Sequence, residues 1–373
     1  MFIRSACQFS SKPSRVRLGP LLGIAALLAA CAQLPAHAAN FSASYPWDAR
    51  ANAMSGAFTA IAVGPHAAFW NPGALGCEQP PSVSPLSRIR FGEGDDAATF
   101  VAFGVTHTWH RLGFGLGFSD ISGGKFPYGD RDRTYLLGVG LDLLSRTEEK
   151  TPRVRLGLGG TLKRVEQKQG HCVGFDCDCD IPSAMDFDLG LLADVRLLGL
   201  PTAGARRPPG KGGLSIRLAA KLSNLRQADM KCSDSGGFFP LHRGRHVGAA
   251  LQARTAGPWP LHPFLRVIAA WEHEWIEIEA SPFIPGSSDY TDSNNRLGAE
   301  VVLLGIFAGR IGRTDGMRMN ANEWSSGAGL ILDLWRAPRS PRRIGLRFDY
   351  AAIPESFGSG QYHHWSLTFW GLR

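Results

Sequence analysis

From about residue 85 to the C-terminus, apolar and polar residues alternate one by one, and this rhythm limits the possible folds more than any other feature. Arg153-Val154-Arg155-Leu156-Gly157-Leu158 places its apolar residues at every second position. Asp186-Phe187-Asp188-Leu189-Gly190-Leu191, Ser215-Ile216-Arg217-Leu218-Ala219, Gly345-Leu346-Arg347-Phe348-Asp349 and His364-Trp365-Ser366-Leu367-Thr368-Phe369 do the same. Successive side chains of a strand point to opposite faces, so each segment has one apolar face and one polar face. A helix would need apolar residues at i, i+3 and i+4, which these segments lack.

A soluble sandwich alternates too, with its polar face in water. Three features favour a membrane barrel. The segments are close to the ~9–11 residues that cross a bilayer at a tilt. Their polar face is rich in Gly, in a chain with 45 glycines. Aromatics sit near segment ends (Trp109, Phe118, Tyr135, Trp271, Trp275, Trp335, Tyr350, Trp365, Trp370), as interfacial girdles require. The expectation is an all-β, transmembrane antiparallel β-barrel of about 14 strands, an even number that closes one sheet with both ends on one side. Alternate connections differ in length, as long outer loops and short periplasmic turns should. The exception is 198–212, a long Pro/Gly/Arg-rich connection in the short set.

Residues 1–17 form a basic region, Leu18 to Ala30 an apolar one, and Ala36-His37-Ala38 fits the small-x-small rule for cleavage, so 1–38 reads as a signal peptide. Leu28-Ala29-Ala30-Cys31 also fits a lipoprotein box, with Cys31 lipidated, and both alternatives export the chain. The net charge of +8 is half supplied by Arg4, Lys12, Arg15 and Arg17. The modest excess left has no basic cluster and gives no ground for nucleic-acid binding. Export puts Cys77, Cys172, Cys177, Cys179 and Cys232 in an oxidising compartment. The loop His171–Asp180 then reads as braced by disulfides among Cys172, Cys177, Cys179 and Cys232, with pairing open, and Cys77 reads as the free thiol. Its His, Cys and Asp residues match no standard zinc spacing, so no metal is expected.

Between signal and first strand the pattern changes. Ala49-Arg50-Ala51-Asn52-Ala53-Met54-Ser55-Gly56-Ala57-Phe58-Thr59-Ala60-Ile61-Ala62 is dominated by small residues, and Ala67-Ala68-Phe69-Trp70-Asn71-Pro72-Gly73-Ala74-Leu75 contains a strong turn signal. This segment resembles the FadL-like outer-membrane transport family and its PorV-like branch. Those proteins carry a Gly-Ala-Phe-type segment ending in an Asn-Pro-Ala-Gly-Leu-like turn. A weaker similarity covers Arg296-Leu297-Gly298-Ala299-Glu300, Phe348-Asp349-Tyr350-Ala351 and His364-Trp365-Ser366-Leu367. The chain departs from the family in having Gly73 after Pro72 and in ending on Arg373. The resemblance implies a 14-stranded barrel in the bacterial outer membrane whose N-terminal segment, 39–84, plugs the lumen, with 85–373 as barrel. Gly56, Ala57, Phe58, Asn71, Pro72 and Gly73 would then form the plug and gate.

The polar face carries Arg153, Arg155, Arg217, Lys221, Arg266 and Arg347 beside Asp186, Asp188, Glu300 and Asp349. Two readings stand: a salt-bridge lattice filling the interior, or a cationic path for lipid carboxylates with Arg153, Arg155, Arg217 and Lys221 as ligand candidates. Glu272 and Glu274 share a strand face, but no sugar cleft, nucleophile elbow or metalloprotease motif accompanies them, so neither catalysis nor a cofactor is expected. The function the resemblance implies is passage of hydrophobic or amphipathic molecules such as long-chain fatty acids, the barrel sitting in outer-membrane lipid. The alternative from the PorV-like branch is a non-transporting partner of a secretion-system protein.

Overall fold

In the computed structural model the described residues are 47–77, 81–91, 98–122, 131–144, 154–168, 183–198, 213–231, 238–255, 265–278, 290–316, 323–336, 343–354 and 361–371. Three helical turns come first: α1 (Ala49–Asn52), α2 (Ala67–Trp70) and α3 (Gly73–Gly76). Strands follow: β1 (Ser82–Phe91), β2 (Ala98–Trp109), β3 (Leu112–Ser122), β4 (Arg131–Asp142), β5 (Val154–Lys168), β6 (Ser183–Leu198) and β7 (Gly213–Ser223). A small hairpin, β8 (Asp229–Lys231) and β9 (Phe238–Pro240), precedes β10 (Gly244–Arg254), β11 (Leu265–Ile278), β12 (Tyr290–Leu303) and β13 (Phe307–Gly316). The chain ends with β14 (Glu323–Arg336), β15 (Arg343–Pro354) and β16 (Gln361–Trp370).

Fourteen of these strands form one closed antiparallel barrel in chain order, with β10 beside β7 and the β8–β9 hairpin outside the sheet. Pairing of β1 with β16 closes it, Ser82 lying opposite Trp370. The strands follow the expected segments within a few residues, although β1 begins at Ser82 rather than near 85. The β8–β9 hairpin was not foreseen, because three-residue strands carry too few alternations to register.

Alternation sorts the two faces. On β4, Thr134, Leu136, Gly138, Gly140 and Asp142 are buried, while Tyr135, Leu137, Val139 and Leu141 are exposed. Leu158 and Leu162 on β5, and Leu330, Leu332 and Leu334 on β14, are likewise exposed. The exterior is therefore the apolar side, the reverse of a soluble protein. A closed sheet leaves no unpaired strand edge, so such a surface is stable only in lipid. Trp109 and Phe307 lie at one end of the outer wall and Trp324 at the other. The tight turns Trp109–Leu112 and Leu303–Phe307 share the end that holds Ser82 and Trp370, which is thereby the periplasmic end.

Candidate functional site: the enclosed N-terminal segment

Residues 47–77 lie within the ring of strands. Apart from Ser55, Val63 and Gly64 they are buried, and their partners are inward-facing residues from strands on every side. The segment has a core of its own. Trp47 stacks on Phe69 at 4.9 Å, Phe69 meets Trp70 edge-on at 5.3 Å, and Trp70 meets Phe58 at 5.4 Å. This aromatic row joins the two arms of the segment, which the small residues between them allow to approach.

Polar contacts fix the first arm. The Asp48 carboxylate caps α1 by accepting from the Arg50 amide at 2.8 Å. The Arg50 guanidinium then reaches Glu300 on β12 through two bonds, of 2.7 and 3.0 Å. Glu300 also accepts from Arg266 at 3.0 Å and Arg310 at 2.7 Å, and Arg310 continues to Asp349 at 2.8 Å. Arg347 pairs with the same Asp349 at 2.6 Å. Asn52 and His364 are 2.6 Å apart, and His364 is 2.6 Å from Ser87 on its other nitrogen. Buried ion pairs hold only when every member is neutralised, because an orphaned buried charge costs several kcal/mol.

After α1 the chain must reverse. Ser55 and Gly56 both have positive φ, 52° and 77°. Gly suits the second position because it lacks the Cβ that disfavours this region. A Cβ there would also press on the Arg296 side chain at 3.3 Å. Beyond the turn, the amides of Phe58 and Thr59 both donate to one oxygen of Glu272, at 2.9 and 2.8 Å. Glu272 and Glu274 thus face inward together, but both are engaged by Arg296 and His246. Their role is to hold the segment's backbone and its arginine neighbour. Ala57 is buried in the same turn, its amide bonded to the Met54 carbonyl at 3.0 Å.

The second arm lies on β3–β7. Thr161 donates to the Ala68 carbonyl at 2.8 Å, and Lys221 donates to the Phe69 carbonyl while pairing with Asp188 at 3.4 Å. Lys163 completes that site at 2.6 Å from Asp188. The Asn71 amide nitrogen donates to the carbonyls of Thr59 and Leu191, and its oxygen accepts from the Gly73 amide at 2.9 Å. Asn71-Pro72-Gly73 starts α3, with Pro72 at φ −62°, rather than leading directly into β1. The carbonyl of Pro72 rests against Gly159 of β5, where any Cβ would overlap it. Here the Gly-rich inner face is a requirement of close backbone approach.

Two buried titratable groups of the segment are kept neutral. Burial, only partly offset by the Asp48 carboxylate, holds His66 down to about 4. Burial likewise pushes the Cys77 thiol up to about 12. Cys77 is free and buried. Cys172, Cys177, Cys179 and Cys232 lie outside the described residues, as does Arg153. Among the described residues, no group of His, Cys, Asp and Glu is arranged to hold a metal.

Of the other ligand candidates, Lys221 is taken up by Asp188 and the segment's backbone, and Arg217 pairs with Asp194 at 3.1 Å. Arg155 is buried opposite Asp194 in the ladder. Much of the anticipated salt-bridge lattice is present, but its centre is the Arg50–Glu300 pair, and Arg50 was not singled out from sequence. The signal was available: Asp48, Arg50 and Glu78 are the only formally charged residues in 39–86.

No family model and no curated protein sequence matches this chain. Among solved structures, it is similar to the Pseudomonas putida toluene transporter TodX, at 10% identity over 87% of this chain and 96% of that one, with a TM-score of 0.40. It is also similar to a Pseudomonas aeruginosa FadL homologue, at 9% identity over 91% and 99%, with a TM-score of 0.42. CdiB from Acinetobacter baumannii aligns less fully, at 11% identity over 78% and 60%, with a TM-score of 0.36. The architecture speaks for itself: a closed fourteen-strand antiparallel barrel with an apolar exterior is a protein of the bacterial outer membrane.

Proposed function

We propose that this barrel passes hydrophobic or amphipathic molecules, such as long-chain fatty acids, across the outer membrane, with the 47–77 segment acting as plug and gate. The observation that carries the reading is the way the segment is held. Its first arm rests on ion pairs and amide–carboxylate bonds, which can exchange for water, while its second arm is wedged by backbone contact on β3–β6. Release of the first arm would open the lumen without detaching the second.

Deletion of 49–70 tests it. Uptake of a fluorescent long-chain fatty acid should change while the barrel still assembles. Unchanged uptake beside normal assembly overturns the gating role.

A second reading has its own support. The Glu300 network and the aromatic row are buried inside the ring of strands. A permanently filled barrel suits a PorV-like partner of a secretion-system protein better than a channel. Under that reading the same deletion abolishes surface secretion and leaves fatty-acid uptake alone.

A further inference from the structure

Among the described residues, the periplasmic part of the inner wall carries more guanidinium groups than carboxylates. Arg155 on β5, Arg196 on β6, Arg217 on β7 and Arg254 on β10 share inward parity with the buried residues Gly157, Asp194, Ser215 and Gln252. In the ladder Arg155 lies opposite Asp194, and Asp194 lies opposite Arg217. Asp194 bonds Arg217 and is also the carboxylate that faces Arg196 and Arg254. Asp194 and Asp142 are thus the acids among the described residues of this group, against four guanidinium groups.

The crowding is sharpest at Arg254. Its direct cross-strand partner is Arg266, which is itself committed to Glu300. Like charges placed opposite each other on one face oppose pairing. Among the described residues, the side chain of neither Arg196 nor Arg254 has a hydrogen bond or ion pair, and both residues are partly exposed. The register slips directly after Arg196, and such a bulge re-aims a neighbouring side chain. Cys77, at the periplasmic end of the enclosed segment, sits among Arg155, Arg217, Asp142 and Asp194, so the group lies below the segment and faces the periplasm.

We propose that Arg196 and Arg254, backed by Arg155 and Arg217, form an oxyanion-binding site in the periplasmic mouth, taking a carboxylate or a phosphate group. A guanidinium offers a planar fork that matches either anion through two bonds. The surplus of forks over acids is what such a ligand would correct. The site goes beyond the passage reading and does not depend on it.

The test is isothermal titration of hexanoate, inorganic phosphate and, as uncharged control, hexanol into the full-length protein in non-ionic detergent. One anion should bind saturably and be displaced by salt, and hexanol should not bind. Hexanoate binding assigns the site to carboxylate-bearing molecules; phosphate binding assigns it to phosphates. Arg196→Gln/Arg254→Gln should weaken binding at least about tenfold, and Arg254→Lys should keep most of it, since a point charge remains.

Should the double variant fail to assemble, the wild-type protein still decides. Phenylglyoxal labelling of Arg196 and Arg254, mapped by mass spectrometry, should be suppressed by the bound anion, while Arg88 on the outer wall stays reactive. No anion binding, or equal binding by the assembled double variant, overturns the site. Anion binding without uptake of any cargo leaves the site standing and removes the passage reading; the converse does the opposite.

Discussion

Arg50 and Glu300 stand 250 residues apart in sequence and meet through two hydrogen bonds, with both side chains almost wholly shielded from solvent. The pair joins the first helical turn of the enclosed segment to β12 of the barrel wall. It is asymmetric, because Glu300 has two further arginine partners. Glu300→Ala strands Arg50 and Arg266 and leaves Arg310 only Asp349. It should cost roughly 3–5 kcal/mol or prevent assembly. Arg50→Ala should cost clearly less, since Arg266 and Arg310 still satisfy the carboxylate. Denaturant midpoints followed by tryptophan fluorescence measure both, and equal losses would contradict the asymmetry.

Gly159 and Gly160 are neighbours with opposite surroundings. Gly159 faces the Pro72 carbonyl, whereas Gly160 faces outward, where a Cβ would meet Asp188 and Leu189 atoms only at 3.5 and 3.6 Å. Gly159→Leu should expel the enclosed segment or block folding. Gly160→Leu should assemble normally. Limited proteolysis of the assembled barrels reads the difference as cleavage within 47–77.

The Gly56 turn gives a related outcome. Gly56→Trp must adopt a positive φ and displace the Arg296 side chain, so it should free the first arm. A comparably large substitution in 355–360 should have no effect on the same proteolysis assay.

Thiol chemistry reports the segment independently. Cys77, buried and with a thiol pushed up to about 12, should resist maleimide in the intact barrel at pH 8. Gly159→Leu should make it reactive. Non-reducing mass mapping should find Cys172, Cys177, Cys179 and Cys232 engaged in disulfides. If all four are reduced, the braced-loop reading is lost and a metal-binding loop takes its place.

The barrel should run faster on a gel unboiled than boiled, and fractionate with outer membranes. Closed hydrogen bonding resists detergent in the cold. A soluble product without this shift would contradict the architecture.

The strands were legible because alternation is a property of each strand alone: one face must meet lipid and the other must not, whatever the neighbours are. Leu137, Val139 and Leu141 announce their strand without reference to β3 or β5. The interior was not legible in this way. Whether Arg50 meets Glu300 or Asp349 depends on barrel girth and on the path of a segment with no periodicity. Arg196 and Arg254 escaped notice for a similar reason, since adjacency across β6, β7 and β10 is a matter of register, which the sequence does not display. The Gly-rich polar face was visible in the alternation, but what its glycines accommodate, the carbonyls of a particular turn, emerges only when two remote stretches are superposed.

The strand that closes the barrel at the β1–β16 seam is also bonded to the enclosed segment. Asp48 accepts from Ser366, and Asn52 is bonded to His364, so the helical turn α1 is anchored to the last strand, β16. Those contacts cannot exist until synthesis and insertion have delivered residue 366. The two bonds to β16 therefore form only once the last strand is in place. A chain truncated before β16 would lack both of these bonds, so the placement of this turn depends on the strand made last.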